Sequence, residues 1–384
     1  VTVTVSARHY GRQRLPLDPR RRSVTLRVYQ PRLQWPLYGA NFARTQAQTH
    51  IRLRPPFRVV WSRGINSLIE YPASVYRGVA YIGSFRGVVR AISMANGKVL
   101  WEHISRGFPL MASSPAIVGD EVVYHTMDGH VYVLNARNGH LIWSWSNGSA
   151  IESSPIVRDG IDYFGSWNGT VYALDLHRHK LRWSHGTGAK ITASVSISGN
   201  TLYIGDYAGR LWALYPGTGT TRWVGQVNGK IYGAAAVSHG RVFVESSDGD
   251  TMNAFSTGGS HLWTFTAGYY VYSSPAVWSG RVFFGSYDRY FYCVSAATGR
   301  LLWKVYAGGP ISGAVVVVDG IAYAGSFAHR ILGVDARTGR QVLSFPHGQF
   351  VPVSGNGARL LFNAYSRIYA VEPRHRRHRR RHHG

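Results

Sequence analysis

Three groups of side chains in this sequence are of types that can do chemistry: eighteen carboxylates, one thiol and a recurring set of aromatic rings. The carboxylates fall largely at turn positions. Asp120, Asp159 and Asp319 stand before one kind of hairpin turn and Asp128, Asp248 and Asp288 in a second kind. Aspartate is favoured there because it bonds its own backbone and tolerates left-handed geometry, so these are read as turn residues rather than paired acid/base carboxylates. The stretch SSDGD at 246–250 has the look of a calcium loop but lacks the spaced ligands and distal Glu of a dedicated one; it too reads as a turn. A single cysteine, Cys293, excludes an intrachain disulfide and a Cys-based metal cage. No nucleophile-elbow, zinc-protease, phosphate-loop or Cys/His metal spacing occurs. The expectation is therefore no catalytic residue and no metal ligand.

The aromatics behave differently. Phe85, Trp167, Tyr207, Tyr287, Phe327 and Tyr365 take one equivalent turn position in successive copies of a repeat; Met127 completes the series and Ser247 breaks it. Phe108, Tyr232, Tyr269, Tyr270, Tyr272 and Phe350 fall in loops expected on the same face. Rings gathered on one face suit stacking on sugars or anchoring of a partner's side chains, since contiguous exposed apolar patches mark interaction sites. The partner-binding expectation rests on the six turn residues with Tyr232 and Tyr270. The competing reading, that each ring covers its own hairpin or the adjacent repeat, stays open at this stage.

The elements that would position these rings follow from a period. Trp61, Trp101, Trp143, Trp183, Trp223, Trp263 and Trp303 close phrases such as NGKVLW, NGHLIW and TGRLLW; TGRQVL continues the beat with Leu343. Between beats lie four short stretches rich in Val, Ile, Tyr and Phe, separated by DG, NG and TG turns; in residues 268–306 they are VYSSPAVW, RVFFGSY, YFYCVSA and RLLWKVY. Four antiparallel strands every 40 residues or so predict a propeller blade. The apolar residues alternate and do not recur at 3.6, which excludes a helical solenoid. After residue 343 only three strand-like stretches remain, and the missing fourth, FRVVWSR, lies at 57–63. Pairing it with the C-terminal strands closes the ring and removes two sheet edges. The fold class read from the sequence is thus all-β, an eight-bladed β-propeller of four-stranded antiparallel blades.

Under this reading each of the seven tryptophans is structural, a ring buried between neighbouring blades over roughly 150–250 Å². A small residue recurs in the third strand at Ala91, Ala173, Ala213, Cys293, Gly333 and Ala370. Cys293 is accordingly read as a buried small hydrophobe rather than a reactive thiol.

The chain divides into an Arg-rich lead-in over 1–56, the propeller over 57–373 and a disordered Arg/His tail over 374–384. The formal charge of +25 is uneven: residues 1–58 hold twelve Arg against one Asp, and residues 374–384 hold six Arg and no acid. The body is only mildly basic, which argues against a nucleic-acid reader, because that needs a contiguous basic footprint. The basic N-terminal segment suits an anionic membrane surface. No apolar run is long enough to span a bilayer and none resembles a signal-peptide core. Position 1 is Val, and the expectation is that any signal or membrane anchor lies upstream of it.

The phrases SSPAI (113–117), SSPAV (273–277), GTVYALD (169–175) and ATGRLLW (297–303) resemble the tryptophan-docking repeat of pyrroloquinoline quinone (PQQ)-like β-propellers. The resemblance covers 57–373. WPLYGANFART (35–45) with LRPPFRVVW (53–61) is similar to the segment preceding the propeller in membrane-anchored actinobacterial members. The superfamily includes quinoprotein dehydrogenases, the assembly lipoprotein BamB and sensor domains of kinases. Its dehydrogenases hold the quinone against a disulfide of adjacent cysteines, beside calcium and a catalytic Asp, within long insertions. One cysteine and near-constant repeat spacing depart from that pattern, so the resemblance implies the fold and not the quinone chemistry. The resulting expectation is a monomeric, non-enzymatic, extracytoplasmic scaffold in the cell envelope that binds a protein or an envelope glycan and carries no cofactor. The alternatives are a PQQ-dependent dehydrogenase with calcium and a sensor domain of a signalling protein.

Overall fold

The computed structural model describes residues 2–5, 13–16, 20, 29–105, 107 and 109–374, so Phe108 and nearly all of the Arg/His tail lie outside the described residues. Eight antiparallel sheets of four strands follow one another along the chain, with one extra parallel strand, Ala47–Gln48, on the seventh. These are the eight blades. Blade 6 represents them: a short inner strand Ala276–Trp278, then Arg281–Gly285, Tyr290–Ser295 and the outer Leu301–Tyr306. In blade 8, Phe57–Gly64 pairs antiparallel with Arg367–Pro373, beside Leu360–Ala364 and Gly348–Gly355. The two ends of the repeat region close the ring as expected, and no blade is left with a half-made sheet to template aggregation.

The period of the tryptophans has a geometric cause. Trp101 lies opposite Ala91, Trp183 opposite Ala173, Trp263 opposite Ala254, Trp303 opposite Cys293 and Trp61 opposite Ala370, with Leu343 opposite Gly333. Directly after each small residue the ladder slips by one, a bulge that turns the outer strand toward the next blade. The indole then reaches a carbonyl of that blade: Trp183 Nε1 donates to Pro216 O at 2.8 Å, Trp223 to Thr257 O and Trp101 to Ala136 O at 2.9 Å, Trp61 to Met94 O at 3.0 Å and Trp263 to Ala296 O at 3.1 Å. The ring faces a turn glycine. At Gly219 (φ +73°) a Cβ would sit 2.5 Å from the Trp183 ring, so both conformation and contact demand glycine. Blade 3 departs from this: His179 takes the turn position at φ 56° and its imidazole stacks on Trp143, centroids 4.7 Å apart.

The seven rings sink to different depths between the blades. Trp101 and Trp263 are buried, but Trp61, Trp143, Trp183, Trp223 and Trp303 are half-buried. The outermost strand of a blade faces solvent on its far side, so an indole there covers the adjacent turn with one face and leaves an edge to water. Trp263 is tilted on Phe243, centroids 5.9 Å apart, and belongs to the apolar cluster shared by blades 5 and 6.

Apolar burial is distributed between neighbouring blades rather than gathered at one centre; Ile156, Tyr163 and Ala173 of blade 3 pack with Ile197 and Leu202 of blade 4. Nearer the axis, serines fasten blade to blade. Ser114 N–H donates to Ser154 Oγ at 3.0 Å, Ser154 N–H to Ser194 Oγ at 2.8 Å and Ala234 N–H to Ser274 Oγ at 2.9 Å. These bonds give the SSP phrases their purpose. Blades 2 and 3 share a fully buried pair, His125 Nε2 to Asp162 Oδ2 at 2.8 Å, with Nδ1 facing Ser153 O at 2.6 Å.

Residues 35–48 thread one end of the central channel. Trp35 and Val75 exchange backbone bonds, after which the carbonyls of Pro36, Phe42, Ala43, Thr45 and Gln46 accept from the inner-strand N–H groups of Ile117, Ile197, Val237, Val277 and Val317 at 2.7–2.9 Å. Backbone pairing with blades 1, 2, 4, 5, 6 and 7 turns this segment into a plug. Blade 3 is held differently. Arg44, fully buried, donates Nη2 to Ser154 O at 3.0 Å and Pro155 O at 3.1 Å, Nε to Val195 O at 2.9 Å and Nη1 to Tyr38 O. Burial draws its guanidinium down to about 10, with Tyr38 and Asp162 opposing.

Candidate functional site

The plug closes one end of the channel; the other end opens among the turns that carry the aromatic series. Those turns are equivalent in space as in sequence. The backbone N–H of Phe85, Trp167, Tyr207, Tyr287 and Phe327 donates to Leu68, Ala150, Lys190, Tyr270 and Pro310 O respectively, all at 2.8–2.9 Å, clipping the turn to the loop that enters the same blade. Met127 and Ser247 make the same bond. Ser247 breaks the aromatic series because its hydroxyl has another task, donating to the buried Glu245 Oε2 at 3.0 Å.

Around the mouth the rings join into a belt. Tyr232 meets Tyr272 edge to face at 5.5 Å, Tyr272 meets Tyr287 at 5.2 Å, Tyr287 meets Phe327 at 5.8 Å and Phe327 meets Phe350 at 5.7 Å. Tyr270 stacks on Tyr269 at 4.1 Å. On blades 3 to 5 a cationic stretch continues it: Lys190 Nζ lies 3.3 Å from the centre of the Trp167 ring and 4.9 Å from that of Tyr207, with Lys230 beyond at 5.9 Å. Exposure varies around the belt. Trp167 is 39% exposed, Tyr269 47% and Tyr365 52%, while Phe85, Tyr207, Tyr232, Tyr270, Tyr287 and Phe327 are half-buried. Each half-buried ring is thus partly covered and partly open to solvent. Phe85 and Tyr365 are outside the linked group among the described residues.

Inside the belt is an axial pocket with a cavity volume of about 30 Å³. It is narrow. Its walls include Tyr71, Tyr232, Tyr272 and Phe350, with Tyr38 of the plug at the base and Glu70 at the side. Of the wall residues, Tyr232, Tyr272 and Ser312 stand one 40-residue period apart; the same period leads back to Thr192, Glu152 and Ala112, and LIEYP (68–72) puts Glu70 where AIESS (150–154) puts Glu152. Sequence reasoning recovered the rim but missed these two carboxyls. Stepping along the period from Tyr232 would have found Glu152.

The two glutamates have different surroundings. Glu152 is almost fully buried and accepts from Tyr232 Oη at 2.5 Å and from Trp167 Nε1 at 3.2 Å. Burial raises its carboxyl, while both donors and the Lys190 charge pull it back down. For Glu70 no hydrogen bond or ion pair occurs among the described residues, and burial, then the charge of Glu152, pushes it up to about 7. Glu245 is fully buried behind the wall, where it accepts the N–H of Tyr232 at 2.7 Å and that of Gly233; burial lifts it to about 8 against those bonds. Cys293 is sealed in the third strand of blade 6, where burial pushes its thiol up to about 12. The turn aspartates behave as structural clips; Asp248 accepts Lys230 N–H at 2.6 Å and Asp288 accepts Tyr290 N–H at 2.9 Å.

A family profile described as outer membrane protein assembly factor BamB matches residues 57–185, 167–269 and 250–373. The chain belongs to this PQQ-like β-propeller family. Quinoprotein ethanol dehydrogenase of Pseudomonas putida is 39% identical over 101 residues, 23% of this propeller and 16% of that enzyme; the match thus spans about a sixth of the relative's length. Two solved structures share the fold. BamB from Moraxella catarrhalis has a TM-score of 0.68 at 17% identity, over 84% of this propeller and 100% of that chain. Quinohemoprotein alcohol dehydrogenase from Comamonas testosteroni has 0.77 at 13%, over 90% and 81%.

The residues of this propeller do not fit a calcium-bound quinone. A vicinal disulfide cannot form from the lone Cys293, which faces Trp303 in the ladder. Among the described residues no three His, Cys, Asp or Glu side chains are grouped to hold a metal ion.

Proposed function

We propose that this PQQ-like propeller is a non-enzymatic interaction platform, displayed outside the cytoplasm, that docks a partner protein on the face around its channel mouth. The observation that carries this reading is the linked aromatic belt from Tyr232 to Phe350, continued by Trp167, Lys190 and Tyr207. Tyr and Trp are the residues most enriched where protein interfaces concentrate their energy, because they offer large contact area at low entropic cost. A protein partner is favoured over an envelope glycan because Lys190 already occupies a face of Trp167, which a stacking sugar would have to displace. Display at the envelope accords with the family's description as an outer-membrane assembly factor and with the twelve arginines of residues 1–58, suited to an anionic lipid surface.

On this reading the propeller acts as a monomer without quinone. The test compares the native chain with Trp167→Ala/Tyr207→Ala in co-purification from envelope extracts, with a glycan array and a titration of PQQ plus calcium alongside. A defined protein partner retained by the native chain and lost by the double variant supports the proposal. Equal retention by both, glycan binding alone, or a saturable shift in melting temperature at a quinone ratio of about 1:1 overturns it.

A further inference from the structure

We infer that the axial pocket is a receptor site for a primary ammonium group on a thin alkyl stem, either a free alkylamine or a lysine side chain presented by a docked partner. The lysine source rests on the docking reading above; the free amine does not. Three observations carry the inference. The first is sign: Glu70 faces the pocket with no cation or donor paired to it among the described residues, and no Lys, Arg or His lines the pocket. A carboxyl placed there gains most from a ligand that supplies positive charge, since desolvated charges are stable only when paired. The second is the wall: Tyr71, Tyr232, Tyr272 and Phe350 surround the same space, and ring faces attract a cation there more strongly than in water. The third is size. The cavity volume, about 30 Å³, leaves room for a small head group such as an ammonium.

The donor count also fits. An ammonium brings three N–H donors, and the pocket offers the Glu70 carboxylate together with the hydroxyls of Tyr71, Tyr272 and Ser312, which make no intramolecular hydrogen bond among the described residues. The remaining polar groups of the wall are committed: Tyr232 to Glu152, Tyr38 to Ser274 at 3.2 Å and Ser194 to Ser154 N–H. Beneath the base the Arg44 charge is held by four carbonyls.

Glu70 is faced by Tyr71 on its own loop, Glu152 of blade 3, Tyr232 of blade 5 and Tyr272 of blade 6, with Tyr38 and Arg44 on the plug below and Lys190 beyond Glu152. With its carboxyl near 7, ammonium binding at neutral pH expels a proton from Glu70. The affinity is full above pH 7 and weakens below it.

The test is calorimetric titration of the full chain with n-butylammonium, with tetramethylammonium and with an acetyl-Ala-Lys-Ala amide peptide, at pH 8 and pH 5.5 and in two buffers of different ionisation heat. Expected are saturable 1:1 binding of n-butylammonium, no binding of tetramethylammonium, proton release near pH 7, and about tenfold weakening per pH unit below 7. Glu70→Gln keeps the side-chain shape and folds, as its melting temperature will verify; it should bind n-butylammonium at least about tenfold more weakly and release no proton. A peptide tighter than the free amine assigns the lysine source, and an equal or weaker peptide assigns the free amine. Absence of saturable heat with n-butylammonium, or unchanged binding by a folded Glu70→Gln, overturns the inference. Trp167→Ala/Tyr207→Ala separates it from the docking proposal: partner retention lost in that variant while n-butylammonium fails on the native chain leaves the platform standing and removes the ammonium site.

Discussion

Tyr232 Oη donates to Glu152 Oε1 at 2.5 Å, reaching from blade 5 to blade 3, and Trp167 Nε1 donates to the other carboxylate oxygen at 3.2 Å. One buried carboxylate therefore ties the channel wall to the exposed rim. Removing the phenolic donor leaves Glu152 with the indole alone, in surroundings that already penalise its charge. Tyr232→Phe should cost about 1–3 kcal/mol, the penalty for leaving a buried acceptor short of a partner, measured by urea denaturation. The same variant should shift Trp167 fluorescence. Glu152→Gln, which keeps an acceptor for one donor, should cost less.

The buried glutamates make stability fall as pH rises. Glu70 is raised to about 7 and Glu245 to about 8 from 4.5, so the unfolded chain ionises first and the native state keeps its protons longer. Their stabilising contribution is complete below the ordinary carboxylate value and is lost on passing from there to about pH 8, at up to about 1.4 kcal/mol per pH unit for each proton withheld. The Asp248, Asp335 and Glu372 carboxyls are lowered by their partners and act in the opposite sense, losing their contribution in acid. Thermal melts should give a maximum near pH 5 and a decline toward pH 8. Glu245→Gln should flatten the upper part of that decline.

The tryptophans, the small residues opposite them and the rim turns were legible because each is fixed by the same contact in most repeats: Trp183 on Gly219, Ala173 opposite Trp183, Trp167 N–H on Ala150 O. One physical demand, repeated, selects one residue type at one spacing. How deeply each indole sinks was not legible: Trp263 on Phe243 and Trp303 on Phe283 make the same tilted contact, at 5.9 and 5.8 Å, yet the first is buried and the second half-buried. The positions one period from Tyr232 keep the spacing, but Ala112, Glu152, Thr192 and Tyr232 share a position and no chemistry. Arg44 was illegible for a different reason. Its partners at Ser154, Pro155 and Val195 are backbone carbonyls more than a hundred residues away, and a carbonyl leaves no mark in sequence.

The indole-on-glycine contact predicts a coupling. Trp183→Ala should cost about 3–5 kcal/mol, the loss of a large ring from between blades. Gly219→Ala should also destabilise, both because φ is +73° and because the new methyl would sit 2.5 Å from the ring. Only the second part of that cost depends on Trp183. A double-mutant cycle by chemical denaturation should therefore return an interaction energy of about 0.5–3 kcal/mol, whereas mere conformational strain at Gly219 would return none.

Arg44 holds the plug where backbone pairing does not reach, since its guanidinium bridges the Tyr38, Ser154, Pro155 and Val195 carbonyls. Arg44→Met matches its length but strands four acceptors, and a loss of about 3–5 kcal/mol is expected, as for breaking a buried charged network. Arg44→Lys should rescue little, because a single nitrogen cannot reproduce the planar fork that spans both sides. The remaining bonds of the plug, to blades 1, 2, 4, 5, 6 and 7, are local and would open without unfolding the ring. Limited proteolysis should accordingly cut Arg44→Met within residues 35–48 well before the blades, and the native chain in neither place at the same dose. Because Tyr38 forms the base of the axial pocket, n-butylammonium binding should weaken in parallel with the cutting; unchanged binding in a chain cut there would mean that the pocket does not depend on its plug.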